Sequence, residues 1–382
     1  MNDAKIISQK KDVKQVLNSI WKALHNQTFL YILKRVLRSL LTTALIIAVV
    51  TALIRLTPEI KLYDVKQYSR ILGGGSNPAK VAAAEKFRIA QLYLAGRYDK
   101  QGNKISVLEN ILQYIYWVLP IYKEIPFRWN NNGDVLDTWT GYIYFGRSVT
   151  TTKFVHVLFF KKIGISLKMA LWALLFTYLI GYPLGIAMAK KPGGVIDKIG
   201  NVFIVLNYAI PSLVFYLFMC QLFGDPNGIF GSLDFGYFYD PERWQTLVPP
   251  IFCTVFLSIP GEIIYLRRFM IDELTSDYVK FARSKGLSEN RIMYTHVLRN
   301  AIVPLARNIP ATFIFAIVGS YFVETIWGID GTGKLLTNAI SNSDMPLIQG
   351  LTVIYAIMSM VAFLLGDIIT VFFDPRIKLQ ED

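Results

Sequence analysis

Met169-Ala-Leu-Trp-Ala-Leu-Leu-Phe-Thr-Tyr-Leu-Ile-Gly-Tyr-Pro-Leu-Gly-Ile-Ala-Met-Ala189 is 21 residues without a charge. A helix needs about 20 apolar residues to span the roughly 30 Å of hydrocarbon in a bilayer, so this stretch is read as a membrane crossing. Five more uncharged runs surround it, at Ser39–Ile54, Ile199–Gly224, Trp244–Gly261, Asn308–Val323 and Met345–Gly366. The shorter ones reach spanning length if Arg38, Arg55, Glu262 and Glu324 sit near the interfaces, where long charged side chains snorkel. None alternates with the two-residue period of a membrane β-barrel. The expectation is an all-α polytopic membrane protein with six transmembrane helices. Composition agrees: of 382 residues 53% are hydrophobic and only 18% charged, against about 25% charged in soluble domains. Disordered, collagenous and ordinary water-soluble classes are thereby excluded.

Charge placement orients the runs. The segments 1–38, 190–198, 267–307 and 374–382 hold eight, three, eight and two Lys or Arg residues, whereas 225–243 and 324–344 hold one each, Arg243 and Lys334. Short loops rich in Lys and Arg stay cytoplasmic, so both termini and the 267–307 loop are expected inside, although Lys153, Lys161, Lys162 and Lys168 pull against that order. Some thirty residues precede the first run and no small-residue cleavage site follows Leu56-Thr57-Pro58, so it reads as a retained anchor and not a signal peptide. The expected organisation is a cytoplasmic segment 1–32, a first helix 33–56, one long external region 57–164, a permease core 165–373 containing a cytoplasmic loop 271–305, and a cytoplasmic tail 374–382. Within the external region, Asn77-Pro78 before Ala79–Gly96 predicts a capped helix, and Leu108–Leu119 a weaker one. Pro58, Gly73–Gly75 and Asn130–Gly133 punctuate it.

The loop between the fourth and fifth runs reads Asp277-Tyr-Val-Lys-Phe-Ala-Arg-Ser-Lys-Gly286-Leu-Ser-Glu-Asn-Arg291, continuing to His296-Val-Leu-Arg-Asn300-Ala-Ile-Val-Pro304. Tyr278, Phe281 and Ala282 fall at i, i+3 and i+4 on one helix face, with Lys280, Arg283 and Lys285 elsewhere, and Gly286 permits a sharp stop before a second helix. Such an apolar ridge with a basic rim suits a groove on a soluble partner; a solvated positive-inside loop is the plainer alternative. On these residues the chain resembles the inner-membrane permease subunits of ABC importers, in the oligopeptide/dipeptide branch. Their pattern D-Y-x-x-x-A-R-A-K-G-L-S-x-x-x-(I/V), then R-N-A-x-x-P, is met by Asp277, Tyr278, Ala282, Arg283, Lys285, Gly286, Leu287, Ser288, Ile292, Arg299, Asn300, Ala301 and Pro304, with Ser284 departing from the usual alanine. The resemblance extends through Phe145-Gly-Arg-Ser148, Gly181-Tyr-Pro-Leu-Gly185, Ile210-Pro-Ser212, Val323-Glu-Thr325, Gly331-Thr-Gly333, Asp344-Met-Pro-Leu-Ile-Gln-Gly350 and Asp374-Pro-Arg376. It covers roughly 31–56 and 140–378, while 57–139 matches poorly and is longer than usual for the branch.

The resemblance implies half of a translocation path for oligopeptides or dipeptides in a bacterial cytoplasmic membrane. It implies a second, homologous permease, two cytoplasmic ATPase subunits carrying ATP and magnesium, and an external solute-binding (lipo)protein. Asp277, Tyr278, Phe281, Ala282, Arg283, Lys285, Gly286 and Leu287 would then couple the chain to an ATPase. Similar permeases handle nickel chelates and some sugars, so another solute stays open, as does, from a different class, a stand-alone secondary transporter.

The chain itself carries no readable catalytic chemistry. Gly328-Ile-Asp-Gly-Thr-Gly-Lys-Leu335 nearly spells a phosphate-binding loop, but Leu335 stands where Ser or Thr must hold magnesium. His25, His156 and His296 lack ligand spacing, so no metal is expected; Cys220 and Cys253 lie inside apolar runs and make no disulfide framework. The net charge of +13 flanks crossings, where membrane lipid is the nearer partner than nucleic acid. The expectation is a non-catalytic subunit binding no cofactor of its own. For the path, Glu262 is a gate candidate, a carboxylate in hydrocarbon being costly, although one to two turns from Arg267 and Arg268 it could instead pair. Asn207 and Tyr208 are candidate pore-lining groups, and Pro211 a point of flexure. Asp367 at the end of the last run is read as a structural pairing partner.

Overall fold

A computed structural model describes residues 27–73, 77–99, 101–129, 135–318 and 321–373. The basic segment 1–26, the tail with Asp374-Pro-Arg376, Gly74–Gly75 and Asn130–Gly133 lie outside the described residues. The first helix, α1, is Gln27–Arg55. After it come α2 (Val65–Leu72), α3 (Pro78–Leu94) and α4 (Val107–Val118), then an antiparallel hairpin of β1 (Lys123–Trp129) and β2 (Val135–Gly141). The core follows as α5 (Val155–Lys190), α6 (Val195–Ala209), α7 (Ser212–Gly224), α8 (Val248–Leu274), α9 (Asp277–Ser284), α10 (Leu298–Val318), α11 (Tyr321–Ile326), α12 (Thr332–Ser341) and α13 (Met345–Phe373). A π-helical stretch, Ile292–Val297, leads into α10.

Five segments are long and apolar enough to cross a bilayer: Leu33–Arg55, Val155–Lys190, Trp244–Leu274, Glu289–Ile326 and Met345–Ile369. The third uncharged run, expected as one crossing, is a bent pair, α6 and α7 at 95°, which makes the sixth crossing when the two are taken as one broken span. Pro211 is the cause: it stands at the N-cap of α7 with extended backbone and restricts Ile210 before it away from the helical region. By contrast α5 runs on through Pro183. It begins at Val155, ahead of the expected core boundary at 165, and pairs Lys162 with Asp330. Gly181 and Gly185 explain its closest neighbour. A Cβ on Gly181 would lie 3.3 Å from Glu262 Cβ, and one on Gly185 3.3 Å from Leu266 Cδ2, so the small-xxx-small stripe lets α5 and α8 approach closely. Packing, not flexure, accounts for these two glycines.

The stretch between α1 and α5 folds as a cap on the core. Asn77 accepts from Ala79 N and Pro78 opens α3; Ser106 and Glu109 form a reciprocal capping box at the start of α4, so both expected helices are present. The hairpin was not anticipated, and its β1 Ile125 joins a buried aromatic cluster of Tyr93, Tyr114, Trp117 and Tyr144 that reaches Ile47 of α1 and Val353 of α13. Two buried cations cap helix ends here. Arg97 donates to Ile54 O, Arg55 O and Thr57 O at 2.6, 2.6 and 2.9 Å. Lys123 Nζ reaches Tyr116 O, Trp117 O, Leu119 O and Tyr142 O at 2.6–2.9 Å. Cations at helix C-termini satisfy orphan carbonyls and the dipole together.

Candidate coupling loop and translocation face

Ser276 stands at the N-cap of α9, and the helix ends on a Schellman motif: Gly286 N donates to Arg283 O at 2.9 Å and Leu287 N to Ala282 O at 3.3 Å. Gly286 has φ +79°, the left-handed conformation this stop requires and glycine adopts without cost. A short helix, a glycine stop and a second helix are therefore present as the sequence indicated.

The direction of the ridge differs from the reading. Ala282 does not share an outward face with Phe281. Val279 is 0% and Ala282 5% exposed, while Phe281 is 60% exposed. Val279 and Ala282 belong to one core with Ala189 at the end of α5, Leu266 and Met270 of α8, Ile292, Met293 and Val297 of the π-helical stretch, and Ala301 and Leu305 of α10; Tyr278 and Leu287 pack against it. Tertiary packing is the reason: at i and i+3 Val279 and Ala282 give the smaller apolar side, and it is this side that the ends of α5, α8 and α10 enclose. Burying Val279 stabilises the docked helix by about 1.5–3 kcal/mol.

The outer face of α9 carries Asp277, Lys280, Phe281, Ser284 and Lys285, all exposed. Lys280 pairs with Asp277 at 2.8 Å and holds its carboxyl below the usual carboxylate range. Lys285 Nζ sits 4.4 Å from the Phe281 ring centroid. Arg283 grips Glu289 through two bonds, 2.8 and 3.2 Å, bridging the turn. The Tyr278 hydroxyl donates to Glu273, and burial, then this carboxylate, pushes the phenol above its ordinary value.

Two candidates for the path fare differently. Asn207 is buried and its Nδ2 donates to Phe256 O at 2.9 Å; it is not a free pore-lining group. Pro260 lies four residues after Phe256 and has no N–H to give that carbonyl, so Asn207 supplies the missing donor, as intramembrane backbone requires. Tyr208 is exposed beside it, with its hydroxyl 3.7 Å from the position of a Cβ on Gly261, and Pro211 marks the bend. Glu262 is half-buried on α8 against α5 and has no ion pair among the described residues. Of the two arginines it was weighed against, Arg267 is engaged elsewhere, donating to both carboxylate oxygens of Asp197 on α6 at 2.6 and 2.8 Å, and Arg268 forms no ion pair with it among the described residues.

Two further clusters went unread in the sequence as sites. Asp344 accepts from Ser148 Oγ, Val149 N, Thr150 N, Thr150 Oγ1 and Leu347 N. Glu324, 1% exposed, accepts from Ser166 Oγ and Lys334 N at 2.9 and 2.7 Å. The loop that nearly spells a phosphate site thus presents its backbone to the chain's own carboxylate at the start of α12, an anion at a helix N-terminus. Asp367 takes both Arg35 and Arg307, the structural pairing expected of it. Among the described residues no group of three His, Cys, Asp or Glu side chains is placed to hold a metal ion.

Residues 181–379 match the family described as the binding-protein-dependent transport system inner membrane component. The chain belongs to this family. It is a multi-pass membrane protein. It is 36% identical over 214 residues to the oligopeptide transport system permease protein AmiC of Streptococcus pneumoniae, covering 54% of this chain and 41% of that protein. It is 31% identical over 243 residues to the dipeptide transport system permease protein DppB of Lactococcus lactis, covering 63% and 75%. With the peptidoglycan transport system permease protein YejB of Agrobacterium fabrum it shares 28% identity over 306 residues, covering 75% and 82%. The chain thus spans less than half the length of the pneumococcal relative it matches.

Proposed function

We propose that this permease subunit forms half of the path of an ATP-driven importer of peptides and is worked by ATPase subunits through α9. The observation that carries the reading is the two-sidedness of α9: its inner face is fixed among the ends of α5, α8 and α10, and its outer face offers Phe281 between Lys280 and Lys285. A force applied to such a helix moves three membrane helices as one body, the kind of rigid-body switch that alternates inward-open and outward-open states. The family and the names of the relatives support the cargo class, oligopeptide and dipeptide permeases among them. In this reading the chain binds no cofactor; ATP and magnesium sit on two cytoplasmic ATPases. A second, homologous permease completes the path, an external binding (lipo)protein delivers the peptide, both termini lie in the cytoplasm, and 57–144 faces outward. Glu262, Tyr208 and Pro211 stay on the candidate path; Asn207 supports it from behind.

The test is uptake of labelled peptides by cells expressing the whole assembly, with Gly286→Arg beside the natural chain. Loss of ATP-dependent uptake, with the variant still in the membrane but no longer purifying with an ATPase, is the expected result. Uptake by the purified chain alone in vesicles, or an unaffected Gly286→Arg, sinks the reading.

A further inference from the structure

Between α1 and α13 runs a groove of about 350 Å³ whose mouth is set by Arg35 and Arg38 and whose length is lined by Ile46, Met360 and Phe363. Two guanidiniums meet one carboxylate at this end of the molecule, and a third, Arg38, lines the same groove. Arg35 and Arg307 both bind Asp367, itself buried. Arg38, three residues on from Arg35 and so on the same helix face, is exposed and makes no ion pair among the described residues. Among the described residues, one carboxylate against three guanidiniums leaves a local excess of two positive charges. Arg38 also borders the uncharged run Ser39–Ile54, the level at which headgroups give way to hydrocarbon.

We propose that this groove holds an anionic phospholipid, its phosphate on Arg38 and the outer edge of Arg35, one acyl chain lying along Ile46, Met360 and Phe363. Basic pockets between membrane helices select such headgroups, and the slot below suits a chain with no polar groups of its own. Three of its hydroxyls are spent on their own helices: Thr42 donates to Arg38 O, Thr43 to Ser39 O and Ser359 to Tyr355 O, at 2.9, 2.9 and 2.8 Å. The occupant therefore meets hydrocarbon along its length and charge only at one end. The inference goes beyond the transport reading and does not depend on it.

The full chain is placed in nanodiscs of equimolar phosphatidylglycerol and phosphatidylcholine, and lipids retained on ejection are counted by native mass spectrometry. The natural chain should keep phosphatidylglycerol over phosphatidylcholine. Arg38→Gln should lower that retention about fivefold, since one basic group near a charged lipid surface contributes about 1 kcal/mol, and Arg38→Lys should keep most of it. Ala356→Phe, which fills the groove while leaving Arg38, should lose the lipid as well; its melting temperature is read alongside, and if it does not fold Arg38→Gln decides. Equal retention of both lipids, or no change in Arg38→Gln, overturns the proposal. So does displacement by excess inorganic phosphate, which would mark an anion site without a groove, or cross-linking of a second copy across Arg38 and Phe363 that excludes lipid.

Discussion

Ser148 Oγ lies 2.6 Å from Asp344 Oδ2, joining residues 196 positions apart just ahead of α5 and of α13. The same carboxylate receives Val149 N, Thr150 N, Thr150 Oγ1 and Leu347 N. Five donors on one buried acceptor fix the entry of two long helices relative to each other. Asp344→Asn replaces an oxygen that accepts by an amide that donates, facing groups that also donate. It should cost about 2–3 kcal/mol, the range for stranding buried partners of a charged group. A lowered melting temperature of the detergent-solubilised chain checks this, with exposed Glu242→Gln as the control that should change little.

Phe281 and Val279 lie two residues apart on α9 yet should fail in different ways. Phe281→Ser removes an exposed ring, so membrane level and melting temperature should hold while ATPase association weakens by at least about 2 kcal/mol, roughly thirtyfold, as for a buried aromatic anchor of an interface. Val279→Asp puts a charge into the core beneath and should deplete folded protein. Pull-down with the ATPases, beside a fluorescence-detected melt, separates the two. Equal melting losses in both variants would remove the distinction between faces.

The contrast shows what was legible. Uncharged length located the five long segments, and Asn77-Pro78 and Gly286 located helix ends, because each of these signals is local. The facing of α9 was not readable: Tyr278, Phe281 and Ala282 make as regular a stripe as Val279 and Ala282, and only the packing of α5, α8 and α10 chooses between them. The hairpin at Lys123–Gly141 was missed although Ile125, Phe127 and Trp129 alternate with Glu124, Pro126 and Arg128, because the run is short and Pro126 inside it reads against a strand. The pairing of Asp344 with Ser148 has no local signal at all. Arg267 with Asp197 likewise depends on α6 folding beside α8.

Glu59 joins three parts of the region between α1 and α5, with Lys104 Nζ at 3.0 Å, Arg88 at 3.3 Å and the Tyr98 hydroxyl at 3.4 Å. Burial alone would raise its carboxyl, but Lys104 by hydrogen bond and charge, with Arg88, holds it below the ordinary 4.5. A folded value depressed below the unfolded one gives stability that is complete above the unfolded value and lost as pH falls through the folded one. Melting temperature should therefore fall between neutral pH and the acid side of 4.5, with a smaller fall in Glu59→Gln. Identical acid profiles for the two chains would remove Glu59 from the account.

Lys123 stands against four backbone carbonyls at the end of α4. Lys123→Met keeps the length of the side chain and none of its donors, leaving those carbonyls without their partner in a buried place. About 3 kcal/mol is expected, the upper part of the range for losing a buried charged donor. Limited proteolysis should then open the 57–144 region while α5–α13 stay protected; unchanged cleavage there would mean that the carbonyls find water instead.

Asn207 and Pro260 make a prediction whose size depends on background. Pro260 deprives Phe256 O of its helical donor, and Asn207 Nδ2 replaces it at 2.9 Å. Asn207→Leu alone should destabilise by about 1–3 kcal/mol, because a backbone carbonyl is left unpaired in a medium without water. Pro260→Ala restores an N–H at position 260, so Asn207→Leu in that background should cost far less. The coupling energy of the double-mutant cycle, read from melting temperatures in one detergent, should be 1 kcal/mol or more, within the range of about 0.5–3 kcal/mol for residues that share a partner. Additive losses would mean that Asn207 stabilises α6 by its packing alone. A cycle that closes as expected would also separate support from transport: Asn207→Leu with Pro260→Ala should then move peptide as the natural chain does, which a group lining the path could not allow.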